Sequence, residues 1–132
     1  MPMLSSFDYA VIRVVPRVER EEFVNAGVIL FCRTRRFLGA RVAIDRARLA
    51  ALAPDVDPDD VECRLALIPL IAMGDARGGE IAALPPWERF HWLVAPKSTV
   101  IQVSSVHSGL CQDPERTLDH LLQTAVTRVA AD

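Results

Sequence analysis

A run of aromatic and β-branched residues near the amino terminus restricts the fold most. Residues 7–15 read FDYAVIRVV, and no Gly or Pro occurs before Pro16. Such a composition is typical of a β-strand. Alternate residues of a strand point to opposite faces, and both sets are mostly apolar here. The segment is therefore predicted to be a central strand whose two faces are both covered.

Short apolar segments separated by turn residues predict further strands. Residues 27–32 (GVILFC) and 37–44 (FLGARVAI) are predicted strands, joined by the basic turn 33–36. Short connections favour antiparallel neighbours. Residues 98–103 (STVIQV) are a fourth predicted strand, and residues 104–110 (SSVHSGL) are predicted to form a loop.

Four positions carry signals for the start of a helix. They are Asp45, Asp57, Pro86 and Asp113. Asp side chains accept hydrogen bonds from the free N–H groups of a first helical turn, and Pro58 suits the first helical position. The helix after Asp45 is expected to end near Leu52, and the one after Asp57 at Gly74. The predicted fold class is α+β: a small antiparallel sheet of about four strands covered by helices, in a single domain of residues 1–132.

Composition excludes several classes of protein. With 132 residues, of which 51% are hydrophobic and 24% charged, the chain fits one globular domain. No apolar run reaches the roughly 18 residues that a membrane span needs, and the first residues lack the pattern of a signal peptide. The three cysteines are widely spaced, which suits a reducing compartment. We therefore expect a cytoplasmic protein that does not associate with a membrane.

Charge is distributed unevenly along the chain. Residues 1–50 contain nine Arg and five acidic residues, whereas residues 51–132 contain six basic and twelve acidic residues. The two halves are expected to lie against each other and neutralise in part; the alternative is a basic face that attracts an anionic partner. The basic residues of the predicted hairpin 33–41 are Arg33, Arg35, Arg36 and Arg41. A net charge of -2 and the lack of interleaved surface aromatics make nucleic acid an unlikely partner.

Motifs for catalysis or metal binding are weak. The closest ligand pair is His107 and Cys111, without a CxxC, HxH or HExxH motif. Ordinary packing of a small apolar Cys is favoured over a thiol–imidazole pair. The glycines of residues 74–79 (GDARGG) follow no strand and precede no GK[ST], which excludes a P-loop pattern. No catalytic residue, metal or cofactor is predicted.

Polar residues from three separated stretches are predicted to form a binding site. The candidate residues are Arg13, Arg20, Glu22, Asn25, Arg89, Trp92, Lys97, Ser98, Gln102 and His107. Arg13 interrupts an apolar strand, so it needs a polar partner, for which Glu22 and Glu88 are candidates. One interpretation is an ion-pair network that fastens a loop to the sheet. The other is a polar groove for a partner or a small anion, edged by Trp87 and Trp92.

Three ordered motifs resemble the bacterial family known as domain of unknown function 3037. They are residues 9–30 (YAVIRVVPRVEREEFVNAGVIL), 89–102 (RFHWLVAPKSTVIQ) and 106–122 (VHSGLCQDPERTLDHLL). Lys97 stands where the family pattern has Arg, which weakens a bidentate anion clamp. The family has no assigned activity. Its members resemble small stand-alone partners, often beside a HipA-like kinase, and the resemblance therefore implies a complex with a kinase-like protein.

The leading hypothesis is a non-enzymatic protein-binding module, with a HipA-like kinase as the partner that the resemblance implies. The first alternative is a small enzyme, or a protein that binds a nucleotide or phosphorylated metabolite, using Arg20, Glu22, Arg89 and His107. The second is nucleic-acid binding by the hairpin 33–41. At the junction 20–27 (REEFVNAG), we expect Arg20 to pair with Glu22, and Asn25 and Gly27 to shape the backbone.

Overall fold

The sheet is built around its first strand in the computed structural model of the protein, which describes residues 3–97 and 99–127. The strands are β1 (Ser5–Val14), β2 (Val24–Cys32), β3 (Phe37–Val42), β4 (Ile101–Val103) and β5 (His107–Cys111). β1 pairs with β2 along one edge and with β4 and β5 along the other, and β3 pairs with β2. All pairs are antiparallel, so the predictions of a central first strand and of an antiparallel sheet are confirmed.

The fifth strand was not predicted. β5 includes most of the segment SSVHSGL, and the prediction of a loop is wrong for residues 107–110. His107, Ser108 and Leu110 are exposed, so β5 lacks the apolar alternation by which a strand is recognised in a sequence. Backbone pairing with Ser5–Tyr9 holds it in the sheet. β4 is shorter than the predicted strand 98–103, whose Ser98 lies outside the described residues.

Four α-helices cover the sheet. They are α1 (Arg46–Leu52), α2 (Pro58–Met73), α3 (Pro86–Val94) and α4 (Pro114–Leu122), and a π-helical turn (Gln123–Thr127) continues α4. The side chains of Asp45, Asp57 and Asp113 each accept a hydrogen bond from a backbone N–H of the helix that follows, as predicted. α2 ends at Gly74 in the left-handed conformation, with φ of 74°. None of the described helices is both long and apolar enough to cross a membrane.

Two apolar clusters hold the helices on opposite faces of the sheet. On the face of α1, α2 and α3, Ile12 and Ile29 pack with helical residues that include Leu65 and Phe90. On the face of α4, the buried residues are Phe7, Val28, Leu30, Cys32, Cys111, Leu118 and Val126. α4 packs on β2 and β3. On this face, the side chains of β1, β4 and β5 are therefore covered only in part by the described residues.

Ion pairs join the basic and acidic halves of the chain. Arg17 pairs with Asp55 at 2.8 Å, Arg41 with Asp119 at 3.2 Å and Glu115 at 3.4 Å, and Arg46 with Asp59 at 2.6 Å and Glu62 at 2.8 Å. Each of these pairs links an Arg from residues 1–50 to an acid from residues 51–132, which confirms the predicted partial neutralisation. Their exposure to water keeps their contribution to stability small.

A β-bulge lies where β2 begins. Ile12 pairs with Gly27 and Arg13 with Asn25, so Ala26 is an extra residue in β2. Gly27 is required by a close approach between strands, because a Cβ there would lie 2.5 Å from the Arg41 carbonyl oxygen. The expectation that Gly27 shapes the backbone is confirmed, and the same expectation for Asn25 stays a prediction.

The bulge generates a prediction about stability. Gly27→Ala is expected to lower the free energy of unfolding by about 2–3 kcal/mol, since a backbone oxygen cannot move away as a side chain can. Gly39→Ala in β3 is the control, because its Cβ would meet the tip of the Phe37 ring at 2.7 Å, and we expect a loss of about 1 kcal/mol. Urea unfolding measures both, and equal losses would contradict the role of the bulge.

Candidate functional site

An open groove of about 440 Å³ lies beside the end of β1. Its lining residues are Arg13, Val15, Val18, Glu21, Phe23, Lys97 and Gln102. They come from the end of β1, from the segment before β2 and from the segment that leads into β4. This Arg13 groove, named after its central residue, therefore joins residues from the first and third of the predicted stretches, and none of its lining residues comes from the second, residues 87–92.

Strand pairing explains why these residues meet. Arg13 is the pairing partner of Asn25 on β2 and of Gln102 on β4. Residues directly opposite each other in an antiparallel sheet project to the same face. Three of the predicted site residues therefore form a row across three adjacent strands.

Arg13 has an aromatic rather than a carboxylate neighbour. Because Ile12 and Val14 are buried in the cluster beneath α1–α3, Arg13 projects to the α4 face. Its guanidinium carbon lies 4.2 Å from the centroid of the Phe23 ring. Its Nε is buried and donates to no hydrogen-bond acceptor among the residues that the structure describes. The predicted partner is wrong: among the described residues, neither Glu22 nor Glu88 forms a salt bridge with Arg13.

Lys97 brings a second positive charge to the groove. Its Nζ donates to the carbonyl oxygens of Trp92 at 2.9 Å and Ala95 at 3.4 Å, at the end of α3. The same Nζ lies 4.8 Å from the centroid of the Trp92 ring, and Trp92 itself is not among the residues that line the groove. Burial lowers the pKa of Lys97. An ammonium has three N–H groups, which leaves one for a ligand.

The two amides of the row have different local partners. Gln102 donates through Nε2 to the Thr99 carbonyl oxygen at 2.9 Å, which leaves its Oε1 as an acceptor at the groove. Asn25 donates through Nδ2 to the Ala125 carbonyl oxygen at 3.1 Å, in the π-helical turn. Its Oδ1 is buried without a partner among the described residues. Asn25 therefore fastens the bulge to the carboxyl-terminal turn, while Gln102 remains open to a ligand.

Arg89 has a structural role on the other face. Its Nη1 donates to the Leu84 carbonyl oxygen at 2.5 Å and its Nη2 to the Ala72 carbonyl oxygen at 3.2 Å. These bonds fasten the end of α2 to the start of α3. Arg89 is not among the residues that line the Arg13 groove.

Three further predicted residues also lie apart from the groove. Arg20 and Glu22 form the expected pair at 2.5 Å, but this exposed pair lines a different hollow, beside Arg17. His107 is exposed on β5 with its ring centroid 5.3 Å from that of Tyr9. Tyr9 and Arg13 are four residues apart on one strand, which is about 13 Å. Ser98 lies outside the described residues.

Sequence reasoning missed four lining residues of the groove: Val15, Val18, Glu21 and Phe23. Phe23 is 44% exposed, although it is a large apolar side chain. The signal available in the sequence was a single Phe inside a polar junction, between Glu22 and the strand that follows. Its contact with Arg13 depends on the bulge and so was not visible in the local pattern.

The basic hairpin 33–41 is partly neutralised. Arg35 donates to Ser5 Oγ at 2.9 Å and to the Met3 carbonyl oxygen at 2.6 Å, and Arg41 pairs with acidic residues of α4. Nucleic-acid binding by this hairpin, the second alternative function, would therefore depend on Arg33 and Arg36. Within residues 3–97 and 99–127, no three His, Cys, Asp or Glu side chains are grouped so as to hold a metal ion.

Comparison with known proteins gives one match. A protein-family model described as "Protein of unknown function (DUF3037)" matches residues 9–126. No curated protein and no solved structure matches the chain. The matched range includes every residue that lines the Arg13 groove.

The two arginines give opposite predictions for stability. Arg13→Met is expected to change the free energy of unfolding by less than about 1 kcal/mol, because the lost contact with Phe23 is offset by removing an unpaired buried Nε. Arg89→Met should cost about 2–3 kcal/mol, because two carbonyl groups lose charged donors, which outweighs the removal of the unpaired buried Nε of Arg89. Urea unfolding compares the variants, and a larger loss for Arg13→Met would show that Arg13 is a structural residue.

Proposed function

The chain belongs to the DUF3037 family of proteins of unknown function, and we propose that it is a non-enzymatic protein-binding module whose contact surface is the Arg13 groove. One observation supports this most directly: Arg13 is half-buried, and its Nε is left without a partner among the described residues. A buried polar atom without a partner costs free energy in the isolated protein. A partner cannot reach this atom directly, and its acceptor would bind the guanidinium N–H groups of Arg13 that line the groove.

The charge of the groove favours an acidic group on the partner. Arg13 and Lys97 contribute two positive charges, and Glu21 contributes one negative charge. A partner carboxylate beside Arg13 and Lys97 would accept charge-assisted hydrogen bonds, which are among the stronger polar contacts in proteins. Phe23 adds an exposed aromatic surface, and Arg with aromatic residues is the usual composition of an interface hot spot. The proposed contact is therefore an acidic side chain flanked by apolar ones.

The proposed partner is a kinase-like protein of the HipA-like group, which follows from the family resemblance. A folded protein surface can supply both the carboxylate and the apolar surround that the groove requires. Lys97 stands where the family pattern has Arg, and its ammonium group binds an anion as a point charge. Of the two cationic residues of the groove, only Arg13 can therefore bind a carboxylate through two parallel N–H groups.

The enzymatic alternative has no supporting geometry. Arg89 binds backbone carbonyl groups, Arg20 pairs with Glu22, and His107 lies about 13 Å along the sheet from Arg13. Catalysis requires such groups within hydrogen-bond reach of one reacting centre. The four residues do not form such a centre.

Capture from the native host tests the proposal. The tagged chain is compared with the double variant Arg13→Gln/Lys97→Met, and Arg64→Gln is the control because Arg64 is exposed on α2 and pairs with Asp60 at 3.4 Å. We expect wild type and control to retain the kinase-like protein equally. Binding to the double variant should fall at least about tenfold, the loss typical of removing central charged contacts.

Two results would oppose the proposal. Recovery of the chain only as a free monomer would remove the protein-binding function. Equal binding of the kinase-like protein by wild type and the double variant would show that the interface lies outside the Arg13 groove. Circular dichroism of the double variant confirms that it is folded, so that weaker binding reports on the surface.

A further inference from the structure

A second cleft lies on the face of α1–α3, where α3 meets the sheet. It has a volume of about 500 Å³ and is lined by Ser6, Phe7, Asp8, Phe31, Arg33, Trp87, Phe90 and His91. This volume falls in the range of small-molecule sites, about 300–1,000 Å³. None of these residues lines the Arg13 groove, so the Trp87 cleft is a separate site.

Aromatic rings form the floor and one wall of the Trp87 cleft. Phe31 and Phe90 pack against each other with ring centroids 5.2 Å apart. Trp87 and His91, one turn apart on α3, meet edge to face at 5.9 Å. Trp87 is 50% exposed, although a Trp in a closed core would be largely covered. The spacing 87, 90 and 91 puts these three side chains on one side of the helix.

The opposite wall carries one negative and one positive group. Asp8 Oδ1 accepts a hydrogen bond from Ser108 Oγ at 2.7 Å, which orients the carboxylate. Asp8 pairs with Phe31 in β2, and Arg33 follows two residues later, just beyond the end of that strand; both side chains line the cleft. Among the described residues neither forms a salt bridge, either with the other or elsewhere.

We propose that the Trp87 cleft binds a zwitterionic amino acid with an aromatic side chain. Its ammonium group contacts Asp8, its carboxylate contacts Arg33, and its ring packs between Trp87 and Phe31. An anion alone would face the Asp8 carboxylate, and a cation alone would face the Arg33 guanidinium. A ligand that carries both charges can pair with both Asp8 and Arg33, and the aromatic rings of the cleft favour a ligand with an aromatic side chain.

Titration with L-phenylalanine, followed by nuclear magnetic resonance, tests the proposal on the full chain. The indole N–H signal of Trp87 is expected to shift in a saturable manner, while that of Trp92 in the same molecule stays in place. Phenethylamine lacks the carboxylate and 3-phenylpropionate lacks the ammonium group. Each is expected to bind at least about tenfold more weakly than L-phenylalanine, since one charged hydrogen-bonded contact is lost.

Variants assign the two charges to their residues. Asp8→Asn should weaken L-phenylalanine and phenethylamine but not 3-phenylpropionate, and Arg33→Gln should show the converse selectivity. Arg36→Gln is the control, because Arg36 lies in the same turn but outside the lining of the cleft. The binding of uncharged analogues to each variant shows that the cleft is intact.

Three outcomes would overturn the assignment. They are no saturable shift of Trp87 up to about 10 mM L-phenylalanine, equal binding of phenethylamine and L-phenylalanine, and equal loss in the Arg36→Gln control. The proposal does not depend on the protein-binding function. The double variant Arg13→Gln/Lys97→Met should bind L-phenylalanine as wild type does, which separates failure of one site from failure of the other.

Discussion

Hydrogen bonding along both edges of β1 is the constraint on which the structure depends. β2 occupies one edge, and β4 and β5 divide the other between them. A strand in this position has no free edge, and its side chains must serve two faces at once. On the face that α1–α3 cover, β1 contributes the buried side chains of Ala10, Ile12 and Val14. The alternate positions, including Arg13, therefore project to the opposite face, which α4 covers only in part.

Both candidate sites follow from that arrangement. The Arg13 groove lies where β1 ends and β4 joins it, and the Trp87 cleft lies near the start of β1, on the other face. The bulge at Asn25–Gly27 shifts the register of β2, so that Asn25 rather than Ala26 stands opposite Arg13. Asn25 then binds the π-helical turn, and Arg13 is left beneath Phe23. Packing therefore gives a partner to the amide nitrogen of Asn25, whereas Asn25 Oδ1 and Arg13 Nε have none among the described residues.

Much of the fold could be predicted because the signals for these strands and helices lie in short stretches of the sequence. The apolar run of β1 and the capping Asp residues of α1, α2 and α4 depend on nearby residues only. β5 was missed because an exposed strand held by backbone pairing leaves no apolar pattern. The predicted site grouped Arg13, Lys97 and Gln102, and these three residues do line one groove. It also included Arg89, which lies elsewhere. The carbonyl groups that accept hydrogen bonds from Arg89 are brought together by the packing of α2 on α3. Neighbours such as Asp8 and Phe31 arise from strand register, which the sequence does not display.

Hydrogen–deuterium exchange of the chain, free and mixed with the proposed kinase-like partner, tests whether the Arg13 groove is the partner surface. An interface at the Arg13 groove predicts slower amide exchange on binding in residues 18–25 and 99–103, which surround the groove, with little change in the hairpin 33–41. Protection confined to the hairpin or to α4, with unchanged exchange around Arg13 and Phe23, would contradict it.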